Sequence, residues 1–246
     1  MSGHSHWATI KRSKGAADAK RGKVFSKLSR YIMIAARSGG GDPDINLKLR
    51  YAIDKARAVS MPKENIEKAV KKGTGELGDL IMDELSYEGF GPGKVAILVE
   101  TLTDNRNRTN GEVRKVFEKS GGNMGNPGCV AYLFDRRGII IIEAAKTTED
   151  ALMNVVLDAG AEDLNLIGDH FEITCEIGIF NQVVEAIRKA KIETVSAEIS
   201  QIPKALTVVD VETGKKIIRM MDALDDHDDV QNVYSTAKLT DEMMEE

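Results

Sequence analysis

The order of hydrophobic patterns in residues 137–203 is the feature that most constrains the fold of this chain. A strand of the buried type over Ile139–Glu143 is followed by helical, strand, strand, helical and strand patterns. The resulting order, β-α-β-β-α-β, is the split motif of ferredoxin-like domains. We therefore predict that residues 137–203 form a ferredoxin-like domain of their own.

The segments on either side of this unit are predicted to share one domain. Two β-rich stretches separated by Gly91–Gly93 predict a hairpin, and a further strand is predicted over Cys129–Asp135. After residue 203 the chain gives one helical pattern and one strand near Val230–Ala237, which lack a sheet of their own. We expect residues 80–136 and 204–240 to form a discontinuous middle α/β domain, into which the ferredoxin-like domain is inserted.

The first 75 residues have a helical period. Phe25, Leu28, Ile32 and Ala35 recur at steps of three and four, and two further apolar stripes follow after the glycines at 39–41. This pattern predicts a basic N-terminal arm and a three-helix bundle over residues 1–75. The expected fold class is α+β and multidomain, with an N-terminal three-helix bundle and two α/β modules, the second inserted into the first.

Charge is divided unevenly along the chain, although the net charge is only −5. Residues 1–73 hold 17 Lys and Arg against 6 Asp and Glu, whereas the remainder holds 17 against 33. This asymmetry predicts a basic module for a polyanion attached to an acidic body. The chain has no apolar run long enough to span a bilayer and no apolar leader, which predicts a protein without membrane contact. Its hydrophobic content is ordinary and it has no CxxC motif, so we predict a cytoplasmic protein.

The strongest candidate for a nucleic-acid site is the arm with the first helix. Lys20, Lys23, Lys27 and Arg30 step by three, four and three, which places four cations on one helix face. The alternative explanation is a solvated helix face with Trp7 packed into a core. The contacts that we predict in this region are Trp7, as a stacking surface, and the cations Lys11, Arg12, Lys14, Lys20, Arg21, Lys23, Lys27 and Arg30.

Two further basic elements are candidates for phosphate contact. Lys71 and Lys72 lie at the predicted end of the third helix, where they could equally complement the helix dipole. Arg106 and Arg108 are predicted to lie just ahead of a helix whose capping box is Thr109 and Glu112. The alternative for these arginines is a hydrogen-bonded turn between a strand and a helix.

The acidic segment Asp222–Asp229 is predicted to be a solvated helix end. A second functional hypothesis, a metal-dependent hydrolase, would place its chemistry at this cluster. A third hypothesis is a ligand-sensing module, because βαββαβ units often bind small metabolites. We predict no catalytic residue, no metal site and no cofactor, and we make no prediction of the oligomeric state.

Several segments of the chain resemble the YebC/PmpR family, which includes a mitochondrial translational activator of cytochrome oxidase. The resemblance covers nearly the whole chain. It is carried by Gly3–Ala8, Ala16–Phe25, Ala52–Ala56, Met61–Ile66, Lys71–Gly75, Tyr87–Gly93, Leu102–Thr109, Gly121–Gly125 and Asp229–Tyr234.

This resemblance implies three domains and a cytoplasmic, non-enzymatic protein. It implies a DNA-binding transcriptional regulator, or alternatively a ribosome-associated translation factor that assists the synthesis of proline-rich sequences. Lysine-rich contacts fix position rather than sequence, which favours structured RNA, so DNA and ribosomal RNA both stay open. The chain departs from the family at His6, where lysine is usual, and at Pro127 in the segment after Gly125.

Overall fold

The computed structural model describes residues 21–78 and 82–244. The helices are α1 (Arg21–Gly39), α2 (Leu47–Ala58), α3 (Lys63–Gly73), α4 (Arg106–Lys119), α5 (Glu149–Asp158), α6 (Phe180–Lys189), α7 (Val211–Asp225) and α8 (Asp241–Met244). The strands are β1 (Asp83–Phe90), β2 (Ala96–Thr103), β3 (Asn123–Met124), β4 (Phe134–Glu143), β5 (Asp163–Ile167), β6 (His170–Cys175), β7 (Ser196–Pro203) and β8 (Val230–Ser235).

The first three helices form a bundle around small and aliphatic side chains. Asn46 caps α2 by accepting a hydrogen bond from the Leu49 N–H, and its amide donates to carbonyls of Ala35 and Gly40. One side chain therefore joins the end of α1 to the start of α2. The helices approach closely at Gly73, where a Cβ would lie 2.4 Å from the carbonyl oxygen of Met33.

The first sheet has the strand order β3-β1-β2-β8, and its paired strands are antiparallel. Helices α4 and α7 cover one face, where side chains such as Val99, Phe117 and Ile217 form the core. The strand β8 lies beside β2, with Val233 opposite Val99. Residues after 203 thus return to the sheet that begins at residue 83.

The second sheet has the order β5-β6-β4-β7, again with antiparallel pairs. Its elements follow the chain order β-α-β-β-α-β, and α5 and α6 pack on the face that carries Ile140, Ile142 and Ile173. The predicted fold class is therefore confirmed: a helical bundle, a middle α/β module, and a ferredoxin-like module inserted into it. The residue limits that we assign to the domains stay a prediction.

The strand predicted over Cys129–Asp135 is wrong for its first five residues. Residues 129–133 form a loop with a short 3₁₀ turn, and β4 begins at Phe134 and continues without a break to Glu143. The backbone N–H groups of Val130 and Ala131 are held by the carboxylate of Glu88, at 2.7 Å each, and therefore do not join a strand ladder. The predicted boundary at residue 136 falls inside β4.

No helix in the described part of the chain combines the length and the apolar character needed to cross a bilayer.

Candidate nucleic-acid interface

The cations of α1 lie against a segment of the middle module. We call this segment, residues Asp225–Asp229 at the end of α7, the acidic turn. The Lys23 ammonium donates to the carbonyl oxygen of Asp226 at 3.0 Å. Lys27 donates to the carbonyl oxygen of Asp225 at 2.6 Å and to its carboxylate at 2.9 Å. Lys23 and Lys27, two of the four cations predicted to share a face of α1, therefore contact acceptors of this chain.

Arg30 extends the same row. Its guanidinium donates to the carbonyl oxygen of Asp228 and lies 3.3 Å from the carboxylate of Asp229. The side chain of Arg30 is 23% exposed and that of Lys27 is 17% exposed, whereas Lys23 is exposed. Two of the predicted phosphate contacts are thus largely covered in this arrangement.

The chemistry of a helix terminus explains this contact. The last carbonyls of a helix have no partner within the helix, and the negative end of the helix dipole lies beside them. Lys23 and Lys27 supply donors and positive charge to the end of α7, which ends at Asp225. The aspartates at the same end of α7 are repelled by the negative end of the helix dipole. The lysines of α1 offset this repulsion.

Asp229 is the centre of a buried network, so the prediction of a solvated helix end over Asp222–Asp229 is wrong for its last residue. Its side chain is 1% exposed. Its carboxylate accepts from the Arg108 guanidinium at 2.7 Å and from the hydroxyls of Thr109 and Thr103 at 2.7 and 3.1 Å. Burial raises the pKa of Asp229, but the bonds from Arg108 and Thr109 and the charge of Arg30 outweigh it, so the pKa is lowered.

The arginines at 106 and 108 lie inside a helix rather than ahead of it. The N-cap of α4 is Asn105, whose side chain accepts from the Arg108 N–H at 3.1 Å, so the predicted capping box at Thr109 is wrong. The Thr109 hydroxyl instead binds the buried carboxylate of Asp229. The capping-box motif predicts that the Thr109 hydroxyl binds a backbone N–H group of its own helix. In the structure this hydroxyl donates to Asp229, which lies 120 residues further along the chain.

Both guanidinium groups are engaged by carboxylates of this chain. Arg106 makes a two-pronged contact with Asp83 at 2.7 and 2.8 Å, and this hydrogen bond lowers the pKa of Asp83. Arg108 contacts Asp104 at 2.8 Å in addition to Asp229. The predicted anion site at the start of α4 is occupied by internal anions.

The lysines at the end of α3 are placed differently. Lys68, Lys71 and Lys72 are exposed, and within residues 21–78 and 82–244 none of them has a carboxylate partner. They follow Glu67, which pairs with Lys63 at the other end of the helix. This end of α3 thus presents three ammonium groups without a carboxylate partner in residues 21–78 and 82–244.

A groove of about 770 Å³ lies beside these lysines, between α2, α3 and the loop that joins α1 to α2. Apolar side chains that include Met61, Ile66 and Val70 line it, with Arg57 and Lys71 among the charged residues. The cationic end of α3 is therefore next to a concave surface.

The remaining predicted contacts belong to residues 7–21 of the chain. Trp7, Lys11, Arg12, Lys14 and Lys20 lie outside the described residues. Arg21 is the first residue of α1.

Sequence reasoning missed a second contact of the bundle, with the inserted module. The Tyr51 hydroxyl donates to the side-chain oxygen of Asn181, and its ring centroid lies 5.8 Å from that of Phe180. Lys55 donates to Glu198 at 2.5 Å. The only available signal was that Tyr51 and Lys55 are large side chains on the polar side of α2, which does not identify a partner 130 residues away.

Two buried titratable groups lie in the inserted module, apart from these contacts. Burial raises the pKa of Glu172 to about 7 and that of the Cys175 thiol to about 11. In the parts of the chain that the structure describes, no group of three or more His, Cys, Asp or Glu side chains is arranged to hold a metal ion.

Comparison with known families matches both parts of the chain. Residues 5–76 match the model of the TACO1/YebC protein N-terminal domain, and residues 82–237 match the model of the TACO1/YebC second and third domain.

Individual relatives are similar over their whole length. A protein of Desulfatibacillum aliphaticivorans is 51% identical over 246 residues, all of both chains, and one of Treponema denticola is 52% identical over 97% of each chain. Both are named probable transcriptional regulatory protein. The crystal structure of a conserved hypothetical protein from Aquifex aeolicus is 44% identical, with a TM-score of 0.86 over 95% of this chain and 96% of that one.

Proposed function

This chain belongs to the TACO1/YebC family, and from that premise we propose that it is a non-enzymatic, nucleic-acid-binding regulator of gene expression that acts in the cytoplasm. Its curated relatives carry the name of transcriptional regulators, which supports a regulatory role. The observation that carries the proposal is the charge partition, with 17 Lys and Arg against 6 Asp and Glu in residues 1–73. A segment with this balance attracts phosphodiester chains, because each contact releases condensed counterions.

The end of α3 supports a defined place for that contact. Lys68, Lys71 and Lys72 are exposed and have no carboxylate partner among the described residues, so a phosphate meets no internal competitor there. The cations of α1 form a second row that already binds oxygen acceptors. The acidic remainder of the chain repels a polyanion, which limits binding to one side of the molecule.

DNA is the polymer that we propose first, in line with the names of the relatives. Structured RNA of the ribosome is the second candidate, and the composition of the α3 surface favours it. Lysine ammonium groups contact phosphates without reading base edges, and Lys68, Lys71 and Lys72 are such groups. A protein that recognises the shape of folded RNA needs no base-specific set of side chains.

A competition assay separates the two polymers. The full chain is offered labelled promoter duplex and ribosomes at about 150 mM salt, and the salt dependence of each affinity is recorded. Sequence-dependent duplex binding supports the transcriptional role. Tight binding to ribosomes with only non-specific duplex binding overturns it in favour of the translational role.

A lysine variant tests the place of contact. We expect Lys68→Ala/Lys71→Ala/Lys72→Ala to weaken binding and to reduce the salt slope by about 2 to 3, because about 0.9 is lost per phosphate contact. Lys119→Ala/Lys189→Ala/Lys238→Ala removes the same charge from exposed positions of the α/β modules and is the matched control. Equal loss in both variants would show that only net charge matters, and absence of binding to either polymer by the wild-type chain would end the proposal.

A further inference from the structure

We propose that the acidic turn is an internal competitor for nucleic acid, which occupies the cationic face of α1 and is displaced when a polyanion binds there. This inference rests on the proposed function, since it requires that the chain bind nucleic acid. It adds a closed and an open state of the contact between the bundle and the middle module.

The occupied state is the one described above. Lys27 and Arg30 are 17% and 23% exposed, and both donate to oxygen atoms of the acidic turn. The turn presents carbonyl and carboxylate oxygens to a row of cations, which is the chemistry that a phosphodiester backbone also presents. A polyanion can bind these side chains only where the turn has withdrawn.

The contact is polar and therefore open to competition. Lys23, Lys27 and Arg30 bind the acidic turn through hydrogen bonds and ion pairs. The Asp225 carboxylate that pairs with Lys27 is 45% exposed, and an ion pair at such exposure contributes little because water and salt screen it. Asp229, the buried partner of Arg30, keeps Arg108 as a second cation when Arg30 leaves. A polymer that brings many phosphates and releases counterions has the advantage over one short turn.

The base of the turn is held independently of α1. Asp229 stays bound to Arg108, Thr103 and Thr109 when Arg30 leaves, because these three partners belong to the middle module. The turn is therefore preserved in the open state and can return to α1 when the polyanion dissociates. This arrangement makes the competition reversible.

The first test removes the carboxylates of the turn that are not buried. Asp225→Asn/Asp226→Asn/Asp228→Asn leaves Asp229 in place, and Glu118→Gln/Glu149→Gln/Glu212→Gln makes the same charge change at exposed helical positions away from the turn. Affinity for a labelled duplex and a labelled RNA hairpin is measured by fluorescence anisotropy at about 150 mM salt. We expect the turn variant to bind at least about fivefold more tightly than the control variant.

A second measurement uses the wild-type chain, so that the inference does not depend on one folded variant. The Lys27 amine and the Asp225 carboxylate lie 2.9 Å apart, so a zero-length carbodiimide crosslink between them is measured with and without the same duplex or hairpin. Displacement of the turn predicts that this crosslink is lost on binding while the crosslink of Lys216 to Glu212, 2.8 Å apart on α7, is kept, whereas an unchanged Lys27–Asp225 crosslink contradicts the inference.

The outcomes separate the inference from the function on which it rests. If the wild-type chain binds, but the two variants bind equally well and the Lys27–Asp225 crosslink of the wild-type chain is unchanged on binding, the competition is absent and the proposed function stands. If neither polymer binds the wild-type chain or any variant, both are overturned.

Discussion

At the scale of single residues, Asp229 shows how one carboxylate can join two modules. It lies 1% exposed between Arg30 of the bundle and Arg108 of the middle module, and two threonine hydroxyls complete its shell. The sequence shows this residue as the last of an acidic run. Its burial is decided by partners about 120 and 200 residues away, which no local pattern specifies.

We predict that Asp229→Asn lowers the free energy of unfolding by about 2 kcal/mol, because a charge-assisted hydrogen bond is lost and both arginines lose their common anion. Asp228→Asn is the matched control, since the neighbouring side chain is exposed. Urea unfolding of both variants checks this. Equal stability of the two variants would contradict the role of the buried network.

The buried carboxyl of Glu172 predicts a dependence of stability on pH. Burial raises its pKa to about 7 in the folded protein, whereas the unfolded value is about 4.3. The folded protein therefore binds the proton of Glu172 more tightly than the unfolded chain does. Protonated Glu172 stabilises the fold fully below about pH 4.3, and this stabilisation is lost as the pH rises towards about 7.

We expect that Glu172→Gln removes the loss of stability between about pH 4.3 and about pH 7, because glutamine does not ionise. Relative to wild type, the variant should gain up to about 3 kcal/mol in the free energy of unfolding between pH 4 and pH 8. Chemical denaturation at both pH values measures the change, and Glu143→Gln, at an exposed position at the end of β4, is the control. A stability difference that does not vary with pH argues against a protonated Glu172 in the folded protein.

At the scale of elements, the helices and most strands could be predicted because their apolar residues repeat with the period of the element. The bundle, the hairpin of β1 and β2, and the βαββαβ order follow from such periods. The predictions are wrong where a side chain from a distant element accepts a hydrogen bond from a backbone N–H or a hydroxyl group. Glu88 does this for the loop before β4, and Asp229 does it for Thr109.

The loop that contains Pro127 depends on Glu88. The buried carboxylate accepts three backbone N–H bonds, from Gly128, Val130 and Ala131, each at 2.7 Å. Burial raises the pKa of Glu88, but these three bonds outweigh it and the net pKa is lowered. One side chain of β1 thus fixes the path of the chain into β4.

Replacement of Glu88 tests this anchor. Glu88→Gln should cost about 2–3 kcal/mol of stability, because an amide carries no charge and turns a donor towards some of the same N–H groups. It should also speed hydrogen exchange at residues 128–131. Glu84→Gln lies on the same strand at an exposed position and should change neither quantity. A folded Glu88→Gln protein with unaltered exchange in the loop would show that the loop is held by other contacts.

At the scale of the whole molecule, the bundle is attached to both α/β modules. It meets the middle module through α1 and the acidic turn, and it meets the inserted module through Tyr51 and Lys55. The uneven distribution of charge predicted a basic part and an acidic part. It did not predict that these parts bind one another, because charge counts carry no information on which faces meet.

The attachment at Tyr51 can be tested by proteolysis. Tyr51→Ala removes both the ring contact with Phe180 and the hydrogen bond to Asn181, so we expect faster cleavage in residues 74–78, which follow the bundle. Tyr132→Ala replaces an exposed tyrosine and is the control. Cleavage at the same rate in both variants would mean that the contact does not restrain the bundle.

The two ends of the inserted module are neighbours in space. Phe134 pairs with Pro203 across β4 and β7, and the Lys204 N–H donates to the Leu133 carbonyl at 2.9 Å. The chain therefore re-enters the middle module one hydrogen bond away from where it left. If residues 134–203 were excised, a tight turn would be enough to join residue 133 to residue 204. The strands and helices of the middle module would then keep their order without the inserted module.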